Sequence, residues 1–297
     1  MAALGGNPFR SPIGERDAQR APLDPGRCPP HSYDQAMGLA VDDAGGPGAP
    51  VVCLPMLGTS RGATAMAFGS ALGGTDGVRE VYLDLPGHGD SPGDGPADSQ
   101  TVLATVCAWL ESHLDRPALL VGSSYGAYLA AGIARQRPEL VGGLLLVCAG
   151  VRVGADERDL PQGEPPAAEP GWLNAAPAEL RGHLDRALGH RTAAVVATVL
   201  EALSAGGPSD EQYQDALTAG PGYALADQDT DVVFNGPVAV VAGRNDRVVG
   251  YADQFRALRN YPRGTYSAID AAGHYLPFEQ PALFRTLTQD WLHRCDA

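Results

Sequence analysis

The chain of 297 residues is long enough to bury a large core, as one domain or as one domain with an inserted lid. Its formal net charge of −14 speaks against nucleic acid and against anionic membrane surfaces as partners. No apolar run approaches the roughly 18 residues of a membrane-spanning helix. The five cysteines include no C-x-x-C pair and suggest neither a disulfide framework nor a metal or redox motif. Residues 1–20 lack the cationic start and apolar stretch of a signal peptide, so the expectation is a soluble, reduced, cytoplasmic protein. All 21 basic residues are arginine, which with the abundant Ala, Gly and Pro reflects base composition more than function.

Residues 1–40 are rich in Gly, Pro, Asp and Arg with little periodicity, which predicts a partly irregular arm. Tyr33 to Val41 can supply an edge strand, and no opening hairpin is legible. The first firm element is an apolar strand over 50–54 that runs into Pro55-Met56-Leu57-Gly58-Thr59-Ser60, followed by a helix over 62–72. A second strand, 78–83, leads into Asp84-Leu85-Pro86-Gly87-His88-Gly89-Asp90-Ser91. Asp98 or Ser99 can cap the next helix, where Val102, Val106, Leu110 and Leu114 recur at the helical period. The apolar run 118–121 is long enough for a buried strand and too short for a helix, and Tyr125 to Arg135 reads as a helix with small residues on its near face. Another apolar strand covers 143–148. Cys53, Cys107 and Cys148 fall inside these patterns, where a reduced cysteine behaves as a small hydrophobe.

Strand and helix alternating in this way, with nearly continuous apolar strands, predict an α/β protein: a mostly parallel central sheet flanked by helices. The alternation stops between 151 and 231. Residues 153–171 are acidic and Pro-rich, and helical patterns follow near 174–189, 191–204 and 209–218, as in a mobile helical cap or lid. The core is thus expected over 41–150 and 232–297. It resumes with a strand over 237–242 ending in Gly243-Arg244-Asn245-Asp246, a helix over 252–260, and a strand over 265–269 ending in Ala271-Ala272-Gly273-His274. The last helix, 281–293, is expected to turn Leu283, Leu287, Trp291 and Leu292 to one side. No internal repeat is present.

Gly122-Ser123-Ser124-Tyr125-Gly126 matches G-x-S-x-G with Ser124 at its centre. In a chain with 38 glycines the pattern alone is weak, but it lies between an apolar strand and an Ala-rich helix, the context its sharp turn demands. Ser123 lacks the flanking glycines. A serine hydroxyl needs a base to take its proton, and histidine suits because its pKa lies near operating pH. In parallel sheets ligands sit beyond the carboxyl ends of the strands. Two of the seven histidines follow strands: His274, and His88 inside Pro-Gly-His-Gly, where a structural role is expected. His31, His113, His183, His190 and His293 read as surface or packing residues. Among acids, Asp246 directly follows an apolar strand; Asp270 is its main competitor, with Asp227, Asp229 and Asp231 a weaker set.

Ser124, Asp246, His274 is the order nucleophile, acid, base, and with it the chain resembles the α/β-hydrolase fold superfamily over about 50–295. Asp84 to Ser91 is similar to that family's D-x-P-G-x-G-x-S loop, and Glu279 and Pro281 to an E-x-P that follows the histidine. The insertion lies where such proteins carry a cap. The resemblance implies an oxyanion hole from the N–H groups of Leu57 and Tyr125. It also shows a departure: Pro55-Met56 replaces His-Gly, so Met56 should narrow the substrate pocket and make it apolar. Expected is a cofactor-free, metal-free serine hydrolase acting on an ester, thioester or similar acyl bond of a small, largely apolar substrate. C–C bond hydrolysis, acyl transfer or a lyase step is the alternative within the fold, and a small-molecule-binding protein with poor turnover the alternative from another class.

Overall fold

Four runs of mainly Val, Leu and Ala without a charged residue, over 51–54, 118–121, 144–147 and 238–242, can be buried on both faces only if helices cover both sides of the sheet they form. The computed structural model describes residues 32–34, 38–75, 77–207 and 209–296, with side chains from residue 38 onward. Its eight strands are β1 (Ser32–Asp34), β2 (Leu39–Asp43), β3 (Ala49–Leu54), β4 (Val78–Leu83), β5 (Ala118–Ser123), β6 (Val141–Val147), β7 (Val238–Gly243) and β8 (Gly264–Ile269). They form one sheet in the order β1-β2-β4-β3-β5-β6-β7-β8. β1 and β2 pair antiparallel with each other, β2 pairs antiparallel with β4, and the remaining strands are parallel. An opening hairpin is therefore present where the sequence showed only one edge strand. The rest of the expected arm, with His31, lies outside the described residues.

The helices of the core are α1 (Arg61–Leu72), α2 (Ser99–His113) and α3 (Tyr125–Gln136), then α7 (Ala252–Ala257), α8 (Leu276–Glu279) and α9 (Pro281–Arg294). Asp98 caps α2, its carboxylate accepting the Thr101 N–H at 2.8 Å. One face of the sheet packs with α2 and α3 through Leu103, Val106, Tyr128 and Ile133. The other packs with α1 and α9 through Phe68, Phe284 and Trp291. In α9 the buried stripe is Phe284, Thr288, Trp291 and Leu292. That stripe follows i, i+4, i+7, i+8 and leaves Leu283, expected on the inner side, 42% exposed.

Between β6 and β7 lie α4 (Ala178–Ala187), α5 (Ala193–Ser204) and α6 (Glu211–Ala219). Thr192 and Asp210 cap the second and third of these through the N–H groups of Val195 and Tyr213. The first part of this segment has its own apolar cluster. Trp172, Leu184, Leu188, Val196 and Val199 enclose Tyr275, with Met56 and Phe278 against them. Tyr213 and Leu217 of α6 instead join the core on the α2–α3 face. Among the described residues no helix is long and apolar enough to cross a membrane.

Candidate active site

The turn at the carboxyl end of β5 is tight because both of its glycines face backbone. A Cβ at Gly122 would lie 2.4 Å from the Gly126 carbonyl carbon, and one at Gly126 would lie 2.4 Å from the Leu54 oxygen. Ser124 between them has φ 54° and ψ −114°, a strained conformation for a residue with a side chain. The strain is held by the Ser124 N–H donating to Val147 O at 3.0 Å and by its own carbonyl accepting from Tyr128 N at 3.0 Å. The side chain stands at the start of α3 and is only half-buried.

His274 follows β8 and reaches across to this serine, its Nε2 lying 3.0 Å from Ser124 Oγ. Its Nδ1 lies 2.8 Å from Oδ2 of Asp246, at the carboxyl end of β7. The other oxygen of Asp246 accepts the N–H groups of Val248 at 2.8 Å and Val249 at 3.0 Å. Asp246 is completely buried and His274 nearly so. The structure thus brings Ser124, His274 and Asp246 into one hydrogen-bonded chain. Asp270 is exposed. Asp227, Asp229 and Asp231 pair with Arg135, Arg152 and Arg259. His88 is buried with Nδ1 2.9 Å from Pro86 O, and burial pushes its pKa down to about 4, so it is a neutral packing residue.

Past β3, Pro55 to Ser60 form a turn in which Thr59 N donates to Met56 O at 3.1 Å, with Gly58 at φ 75°. Among the described residues the Leu57 N–H has no backbone acceptor, and the Tyr125 N–H, at the first position of a helix, has no intrahelical one. The turn is anchored from behind. The Arg61 N–H donates to Asp84 Oδ1 at 2.5 Å, while its guanidinium binds Asp84, Asp42 at 3.0 Å and Asp90 at 2.8 Å. Burial raises the Asp84 carboxyl in spite of Arg61. Met56 lines a small cavity with His274, Ser123, Tyr275, Phe278 and Leu203. At about 20 Å³ it has room for roughly one water, and the Ser123 hydroxyl on its wall has no hydrogen-bond partner among the described residues. A larger cavity of about 280 Å³ lies between α3 and α7 and touches neither Ser124 nor His274.

Three groups that the sequence reading gave no role surround the histidine. Cys148, at φ 43°, directs its thiol to Gly273 O at 3.3 Å. Its ligand atom, with those of Asp246 and His274, falls within a 4.8 Å span, the spacing of a metal site. Asp246 and His274 spend those atoms on each other, however, and burial keeps the thiol protonated and directed to Gly273 O, so the trio is a poor metal cradle. His183 lies 3.1 Å from the Tyr275 hydroxyl, and burial, with His274 and Arg186 nearby, pushes its pKa down to about 3. Glu279 is buried and accepts three backbone N–H groups: Gly273 at 2.8 Å, Gly189 at 2.7 Å and His190 at 2.7 Å. These contacts join residues 90 or more positions apart for Cys148 and for Glu279 with Gly189, and no local pattern announces them.

A mostly parallel sheet with a serine held at a strained strand-to-helix turn defines the α/β-hydrolase fold. Residues 47–287 match the alpha/beta hydrolase family, and the chain belongs to it. Over 81 residues it is 38% identical to the pimeloyl-acyl-carrier-protein methyl ester esterase of Neisseria meningitidis, covering 27% of this chain and 24% of that protein. Over 98 residues it is 39% identical to the protein of the same name from Methylococcus capsulatus, covering 33% of this chain and 32% of that one. The chain therefore matches no more than about a third of the length of these curated relatives. An alpha/beta superfamily hydrolase from Oenococcus oeni PSU-1 shares the fold with a TM-score of 0.77 at 22% identity, over 90% of this chain and 100% of that one.

Proposed function

We propose that the protein hydrolyses an ester, thioester or similar acyl bond of a small, largely apolar substrate through an acyl-enzyme on Ser124. One observation carries the reading: the continuous chain from Ser124 Oγ to His274 Nε2 at 3.0 Å and from His274 Nδ1 to Asp246 at 2.8 Å. Ser124 attacks the carbonyl carbon as His274 takes the hydroxyl proton, and Asp246 holds the ring and stabilises the imidazolium. The N–H groups of Leu57 and Tyr125 receive the tetrahedral oxyanion, aided by the amino end of α3. His274 then gives its proton to the departing alcohol or thiol. It next takes a proton from water, whose attack on the acyl carbon releases the acid as His274 returns that proton to Ser124 Oγ. Residues 151–231 act as a cap that encloses the substrate, with Met56 on the pocket wall. The similarity to proteins named methyl ester esterases supports ester chemistry.

Intact-mass analysis after a reactive fluorophosphonate tests this. Rapid single labelling, abolished by Ser124→Ala and by His274→Ala, is expected, followed by turnover of short nitrophenyl esters. A wild-type protein that remains unlabelled refutes the reading.

A further inference from the structure

Glu279 is an acid buried without a cation: among the described residues no arginine or histidine forms an ion pair with it. Its two oxygens serve different parts of the chain. Oε1 accepts the Gly273 N–H, immediately before His274, and Oε2 accepts Gly189 and His190, immediately after α4. The two loops also meet directly. The His274 N–H donates to Ala187 O at 2.5 Å. A Cβ at Gly273 would lie 2.0 Å from Ala187 O, and one at Gly189 would lie 2.6 Å from the Ala272 carbonyl carbon. The N–H groups of Gly273 and His274 thus hang on one carboxylate and one carbonyl, and the carbonyl belongs to the insertion.

We propose that Glu279 is a positioning residue for His274, setting the ring relative to Ser124 by tying the insertion to the histidine loop. The proposal rests on the reading of Ser124, His274 and Asp246 as the catalytic set. A carboxylate suits the task because it is acceptor-only, with two oxygens for three donors. A glutamine has one acceptor oxygen and must turn its NH₂ against either Gly273 or the Gly189–His190 pair. A displacement of about 1 Å at a nucleophile–base contact is enough to cost roughly 10²-fold in rate.

The tie is sensitive to protonation, since a neutral Glu279 must donate from one oxygen. Burial, opposed by its three N–H donors, raises its pKa to about 7. The titratable groups facing it are His190 on the insertion loop, Asp246 on the acid loop, Cys148 at the end of β6 and Tyr275 beside its own helix. The two-oxygen tie then requires Glu279 ionised, a condition that fails as pH falls through about 7.

The test uses the full chain, a nitrophenyl acetate assay between pH 5.5 and 8.5, and amide hydrogen exchange over the same range. Log kcat of the wild type is expected to rise through about pH 7 as Glu279 ionises. Glu279→Gln is expected to lose that step and to lower kcat by roughly 10–100-fold, with KM nearly unchanged. In the wild type, exchange protection at 187–190 and 273–274 is expected to fall together as pH rises through about 7, because opening the tie favours the ionised group, after correction for intrinsic rates. A variant with wild-type kcat and the wild-type step near pH 7 per folded molecule, or protection that does not follow pH in those two loops, overturns the proposal. A wild type that is not labelled by fluorophosphonate sinks the catalytic reading instead, while hydrogen exchange still decides the tie.

Discussion

Asp246→Asn separates orientation from architecture at this site. Asp246 has two jobs on two oxygens: Oδ1 accepts the Val248 and Val249 N–H groups, and Oδ2 faces His274 Nδ1 at 2.8 Å. Asparagine keeps one acceptor. Leaving it with two backbone donors preserves the loop and turns the NH₂ toward His274. The ring then carries its proton on Nε2, the nitrogen that must accept from Ser124. The expected loss is about 10⁴-fold in kcat/KM, or about 5 kcal/mol of barrier, with stability lowered by only about 1–2 kcal/mol. Asp246→Ala should lose a similar amount of activity but destabilise more, because it strands two buried N–H groups at about 1–3 kcal/mol each. Nitrophenyl ester kinetics and urea unfolding of both variants measure the two effects separately. An asparagine variant within tenfold of wild-type activity refutes Asp246 as the orienting acid.

Arg61→Ala removes the cation from a cluster in which Asp84 has no exposure and Asp42 little, and should cost about 3–5 kcal/mol in urea unfolding; a loss under about 1 kcal/mol would show the cluster to be solvated in solution. The raised pKa of Glu279 sets a pH dependence of stability. The folded group titrates at about 7 and the unfolded one near 4.5, so its protonated form stabilises the fold below about 4.5. That contribution, on the order of 3 kcal/mol, disappears as pH rises through about 7. The unfolding free energy of the wild type minus that of Glu279→Gln should fall across this window, and a flat difference contradicts the burial argument.

The sheet from β3 onward is legible mainly because β3, β5, β6 and β7 are apolar runs with no rival helical period; Ser124 and Asp246 follow such runs, while His274 follows the shorter and partly polar β8. The hairpin is not. β1 is three residues, Ser32–Asp34, and pairs through backbone groups, leaving no side-chain pattern to read. In α9 the error of one position at Leu283 arose because Leu283 and Phe284 both extend an apolar stripe and only packing on the sheet chooses between them. Cys148 reads as a hydrophobe and Glu279 as part of a motif; what each does depends on backbone groups brought close by the fold. An acid in the short apolar stretch Leu276 to Glu279 was the one signal available that something polar lay beneath.

The last turn of α4 bears on how such a protein can exchange parts. Its carbonyls at Arg186 and Ala187 receive the N–H groups of Arg247 and His274, one from each of the loops bearing the acid and the base. An insertion cut out at its outer boundaries and replaced by that of a relative would therefore carry away two acceptors that the core cannot supply. Recombination crossovers placed after residue 190 spare them, and those placed before 186 do not. The core thus continues through the end of α4.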